Sequence, residues 1–162
     1  MTNRIEDTIL TNLIFNEEYT RKVLPFLKDE YFGTRSDKII FACIEDFVNK
    51  YNNLPTKETL IIELNNRKDI NEEEYKAIKT TINGLTPSER VEIQWLLDTT
   101  ERFCKDKAVN NAVLNGIKIL DGKDKKRTPE AIPSILSEAL AVSFDNHIGH
   151  DYIDDADDRF DW

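Results

Sequence analysis

The residue types best suited to chemistry stand near the end of the chain, in His147-Ile148-Gly149-His150-Asp151. Two imidazoles and a carboxylate are zinc ligands by type, but a structural site needs a fourth ligand. A hydrolytic site would set its histidines on a helix beside a general base. Here Gly149 separates them and acids follow, so the phrase reads as the entry to a polar linker. The acidic run from Asp151 lacks the glycine at position six and the glutamate at position twelve of a calcium loop. Paired carboxylates such as Asp154 and Asp155 serve as acid and base only inside a cleft. No phosphate-cradling glycine pattern and no glycine-bracketed serine nucleophile occurs. The residues therefore nominate no catalytic group, no metal ligand set and no cofactor site.

One further cluster, Lys123, Lys125, Lys126 and Arg127 with Asp124 among them, could touch a phosphate backbone. No aromatic residue interleaves to stack bases, and a solvated turn is the better account of the charges. The net charge of −9 is unevenly placed. Residues 145–162 hold seven acids (Asp145, Asp151, Asp154, Asp155, Asp157, Asp158, Asp161) against Arg159, so −6 lies there and −3 on the other 144 residues. Neither part has the basic excess of a strong duplex-binding surface. Cys43 and Cys104 sit in helical apolar patterns, which predicts reduced core thiols. The N-terminus bears Arg4, Glu6 and Asp7 rather than an apolar leader, and no run reaches the roughly 20 apolar residues of a membrane span. A cytoplasmic protein is expected.

The elements that must position any site are helices. Strands are not expected, because no alternating β-branched run lasts five positions. Asn3 with Glu6 opens a first helix with Ile5, Ile9 and Leu13 on one face. A second covers 17–27, bent or ended by Pro25. Tyr31-Phe32-Gly33 is a turn. Thr34 with Asp37 opens a third helix bearing Ile40, Ile44, Phe47, Val48 and Tyr51. Leu54-Pro55-Thr56 breaks it and starts a fourth with Leu60, Ile61 and Leu64. Asn71 with Glu74 opens a fifth, carrying Tyr75, Ile78 and Ile82, that stops at Asn83-Gly84.

Thr86-Pro87-Ser88-Glu89 then begins a helix without a breaker until Gly116. Continued to Leu120, it is a rod of about 33 residues and roughly 50 Å. The charged loop at 121–127 turns the chain, and Thr128-Pro129 opens a last helix with Ile132, Ile135, Leu136, Ala139 and Leu140 on one side. The fold class is all-α: a compact helical globule at 1–86, a long antiparallel helical hairpin at 87–144, and an acidic linker entry at 145–162. Such a rod outruns its globule and leaves apolar surface for a partner. The candidate self-association residues are Val109, Val113, Ile117 and Leu120 on the long helix and Ile132, Ile135, Leu136 and Leu140 on its return. Some of these must seal the hairpin itself.

Several short phrases, in matching order and spacing over essentially the whole chain, add a resemblance. They are Leu13-Ile14-Phe15, Glu30-Tyr31-Phe32, Leu54-Pro55-Thr56, Ala131-Ile132-Pro133-Ser134-Ile135-Leu136, Ser143-Phe144-Asp145 and Gly149-His150-Asp151. The chain resembles the N-terminal domain of DnaB-type hexameric replicative DNA helicases, in particular those of large tailed bacteriophages. That resemblance implies a collar domain whose hairpins pair between subunits, three such dimers surmounting a ring of ATPase domains. It implies homo-oligomerisation, docking of primase or a helicase loader, no membrane, and the cytoplasm of an infected bacterial cell. ATP and Mg belong to the implied parent enzyme, and this chain, which stops at Trp162, is expected to have no helicase activity of its own. A free-standing acidic adaptor or inhibitor is the alternative. A small metal-dependent hydrolase using His147 and His150 is a third reading.

Overall fold

The structure is a computed structural model that describes residues 4–87 and 91–144. The described residues are all-α, with no strand. The chain divides into two compact units, Met1–Leu97 and Asp98–Trp162.

The first unit contains α1 (Ile5–Phe15), α2 (Glu17–Val23), α3 (Arg35–Tyr51), α4 (Lys57–Asn65) and α5 (Glu72–Gly84). Short polar side chains start four of them by accepting an otherwise unpaired backbone N–H of the first turn. Asn16 Oδ1 accepts from Tyr19 N (3.1 Å), Thr34 Oγ1 from Asp37 N (3.2 Å) and Thr56 Oγ1 from Thr59 N (3.1 Å). At α5 the bonds are reciprocal: Glu74 N donates to Asn71 Oδ1 (2.8 Å) and Asn71 N to Glu74 Oε1 (3.1 Å). Asn3 lies outside the described residues; α1 follows Arg4, which supplies no side-chain cap. Pro25 sits in a 3-10 turn, Leu24–Phe26, that ends α2 four residues before the expected 27.

Helix α3 is the hub, packing against α1, α4 and α5. Ile39, Ile40, Phe41 and Ile44 are buried on it, and Phe41 stacks on Phe32 with ring centroids 5.2 Å apart. Ile9, Leu10 and Leu13 of α1, Leu60 and Leu64 of α4, and Ile78 and Ile82 of α5 are buried as well. The apolar stripe of α3 surfaces at its end, where Tyr51 is exposed. Asn52 then adopts φ 55°, and its N–H bonds Val48 O at 2.8 Å. Asparagine tolerates this left-handed region better than other non-glycine residues. Gly84 does not play that part for α5. It is the last helical residue and the stop is an extended Leu85, whose side chain is buried.

One acid is also buried here. Asp37, near the start of α3, is 1% exposed. Arg4 Nη2 lies 3.1 Å from its Oδ2 and also bonds Asp7 at 2.8 Å. Burial pushes the Asp37 carboxyl above the usual range, against the opposing pull of Arg4 and of the Thr34 hydroxyl.

Helix α6 spans Ile93–Leu120. It starts six residues later than the Thr86-Pro87 signal suggests: residues 88–90 are outside the described set, and Val91 and Glu92 are not helical. Glu92 makes the start instead. Its Oε1 accepts from Trp95 N at 3.0 Å and its carbonyl from Leu96 N at 3.1 Å. The 28 residues make a rod of about 42 Å rather than roughly 50 Å.

Candidate self-association surface on the helical hairpin

The second unit holds α6 from Asp98 onward and α7 (Ile132–Leu140), which follows a 3-10 turn, Pro129–Ala131. The stop at Leu120 is a Schellman motif. Gly122 takes φ 78°, its N–H bonds Ile119 O (3.1 Å), and Lys123 N bonds Lys118 O (2.9 Å). Asp124 then folds the loop, accepting from Lys126 N (2.9 Å) and Arg127 Nε (2.8 Å). Those donors, the Lys126 N–H foremost, hold its carboxyl below the usual range.

The return is antiparallel, as two contacts at opposite ends show. Near the tip, a Cβ placed on Gly116 would stand 3.7 Å from Ile132 Cγ2. Near the base, the Glu101 carboxylate accepts from Ser143 Oγ (3.0 Å) and Phe144 N (2.9 Å), and Phe144 is buried. Ala112, Gly116 and Ile119 lie three or four apart on one helical face with Glu101. Ala112 and Ile119 are buried, as is Ala139 on α7. Small residues at this seam let the two helices come close.

The outer face is apolar without being covered. Val113 (46% exposed), Ile117 (48%) and Leu120 (68%) recur at i, i+4 and i+7, flanked by Leu114 (49%). On the return, Leu140 is 70% exposed. It does not share the inward side of Ala139 as the sequence reading has it, because it turns about 100° past that buried neighbour. Of the eight candidate residues, Val113, Ile117, Leu120 and Leu140 are exposed, while Val109, Ile132, Ile135 and Leu136 are half-buried. Ile132 belongs to the seam. Leu114 and Ile119 are absent from the sequence selection; the pairs Val113-Leu114 and Ile119-Leu120 were the available signal, and only one member of each fitted the stripe.

No competing chemistry is assembled among the described residues. They contain no cluster of three metal-ligating side chains. Cys43 and Cys104 are buried and form no disulfide. Burial, with the Glu101 charge adding to it, pushes Cys104 up to about 12, and burial also raises Cys43; neither is a poised nucleophile. His147, His150, Asp151, Asp154 and Asp155 lie outside the described residues. No helix is long and apolar enough to cross a membrane among the described residues.

The chain is similar to the DnaB-like replicative helicase of Enterobacteria phage T4, at 35% identity over 162 residues. The match covers 95% of this chain and 34% of that protein, so the chain spans about a third of the length of the curated relative it matches. No protein-family model matches the chain. The resemblance drawn from the short motifs is thus borne out over nearly the whole sequence.

Proposed function

From that similarity as premise, we propose that this chain acts as the N-terminal collar domain of a phage replicative DNA helicase and that its hairpin is the self-association surface. The observation that carries the reading is the uncovered stripe of Val113, Leu114, Ile117 and Leu120 beside a seam that already closes the hairpin. About half of Val113, Leu114 and Ile117 and most of Leu120 face outward, in register along the helix. A two-fold pairing would place the same stripe on both copies and cover it twice. Burying one Ile or Leu fully is worth roughly 1.5–3 kcal/mol. With about half of each side chain still to be covered, three residues from each of two copies supply about 5–9 kcal/mol before association costs. That magnitude suits a reversible dimer used as a building block of a larger ring.

In this reading ATP turnover and strand unwinding belong to the helicase as a whole, while this part organises subunits and offers a platform for primase or a loader. Multi-angle light scattering over a concentration series tests it. The wild type is expected to move from monomer to dimer or higher mass. The doubly substituted Ile117→Glu, Leu120→Glu chain is expected to stay a folded monomer, since both positions are exposed in the single chain. Unchanged association in that folded variant would reject the hairpin and favour the globule at 1–86 as the self-association surface.

A further inference from the structure

We propose that two copies of the chain pair antiparallel along one seam of α6, with Arg102 of each copy set against Asp106 of the other. The inference rests on the hairpin self-association proposed above and deepens it by fixing the face, the direction and the register of the pairing.

The observation is a spacing along α6 (Ile93–Leu120). Thr99, Asp106, Val113 and Leu120 recur every seven residues, and Trp95, Arg102 and Val109 each stand four residues before one of the first three. That alternation of three and four is the mark of a helix-pairing seam. At about 100° per residue, all seven lie within about 40° of Val113 around the helix. The uncovered stripe near the loop is one end of this seam. Its other end is Trp95, which is 52% exposed. Between them Arg102 and Asp106 are exposed, and Thr99 and Val109 are half-buried. Exposed apolar side chains at both ends thus bracket two opposite charges. Among the described residues neither charge has an ion-pair partner, although the two stand one turn apart.

Symmetry selects the arrangement. In a parallel pair each seam residue meets its own copy, so Arg102 would face Arg102 and Asp106 would face Asp106. In an antiparallel pair one facing contact fixes all the others. Arg102 against Asp106 sets Thr99 against Val109 and Trp95 against Val113, and the two-fold axis makes each contact twice. It also brings Ile117 onto the first turn of the partner's α6. Sliding the pair by seven residues either way sets Asp106 against an apolar side chain, Val109 or Trp95, and strands its charge. One register alone keeps the apolar ends covered and the charges matched. A polar pair inside an apolar seam characteristically fixes register in this way. Asp98 and Lys105 stand further round the helix, at the solvated edge, where a charge counts for little.

Sedimentation equilibrium on charge-reversed chains tests the matched layer. Arg102→Asp alone and Asp106→Arg alone each put like charges together twice, so each should self-associate about ten- to a hundredfold more weakly than wild type at low salt. The chain with both Arg102→Asp and Asp106→Arg should return to wild-type strength. Both positions are exposed, and circular dichroism checks folding. Direction is read by oxidative cross-linking and peptide mapping of Thr99→Cys and Val109→Cys chains. Mixed, they should form the disulfide between positions 99 and 109. Alone, neither should link to itself, because like positions lie about 15 Å apart along the pair. Dimer constants that ignore the reversals, or links of position 99 to 99 and 109 to 109, would overturn the antiparallel seam while leaving the hairpin reading intact. A wild-type chain that stays monomeric, or association that survives Ile117→Glu with Leu120→Glu, fails the hairpin reading and takes the seam with it.

Discussion

Replacing Arg4 with Met removes the cation beside Asp37 while keeping most of the aliphatic stem, and it should cost about 1–3 kcal/mol at pH 7. Asp37 is 1% exposed, and the guanidinium nitrogen is 3.1 Å from its Oδ2. Breaking a fully buried pair costs about 3–5 kcal/mol, because the surviving charge is stranded. The Arg4 side chain is 40% exposed, so water can follow it out and the lower range applies. The pH dependence identifies the cause. Burial already raises the folded-state pKa of Asp37 above its ordinary 3.8, and losing Arg4 raises it further. A carboxyl whose folded pKa lies above its unfolded value gains stability as pH falls through that folded pKa, since the folded state binds the proton more tightly. The gap between wild type and variant should therefore be widest near neutrality and shrink steadily as pH approaches the ordinary aspartate range. Urea unfolding followed by circular dichroism, at several pH values between about 4 and 8, measures it. The double variant with Asp37→Asn should lose most of this pH dependence. A gap that stays constant with pH, or no loss at neutral pH, would refute the stranded-charge argument.

The glycines of the hairpin should respond in opposite directions. Gly116→Ala adds a methyl at ordinary contact distance from Ile132 and removes backbone freedom inside a helix, so melting temperature should rise by the equivalent of about 0.5–1 kcal/mol. Gly122→Ala meets open space but must keep φ near +78°, so it should lose about 1–2 kcal/mol in the same melt. The Cys104 thiol, up at about 12, should be essentially inert to Ellman's reagent at pH 8 in native buffer and react readily in urea; rapid native labelling would contradict its burial.

What the sequence made legible was local. Thr34, Thr56 and Asn71 each sit just before a helix and three residues ahead of the N–H they accept, so the cap is written within one turn of chain. Pro25 ends α2 for an equally local reason. The start of α6 was misread because Thr86-Pro87 has the preferred cap chemistry, whereas Glu92 has it only once its longer side chain folds back to Trp95 N. The stop of α5 at Asn83-Gly84 falls where the sequence puts it, whereas the positive φ angles at Asn52 and Gly122 depend on where the following chain goes. The stripe on α6 was visible as a period, but its division into seam and outer face was not. That division follows from Ile132 lying over Gly116, a contact sixteen positions apart in sequence.

The two bonds at Glu101 give the hairpin a mechanical character. Its two helices leave the unit at the same end, so tension between the chain before α6 and the chain after α7 opens the hairpin like a zipper rather than sliding one helix along the other. Peeling loads contacts one after another, beginning at the base. The first to carry the load are the Ser143 and Phe144 donors on one carboxylate. Glu101 is then the fastener of that zipper: while it holds, a pull on the downstream chain passes straight into α6, and the apolar contacts further up are spared.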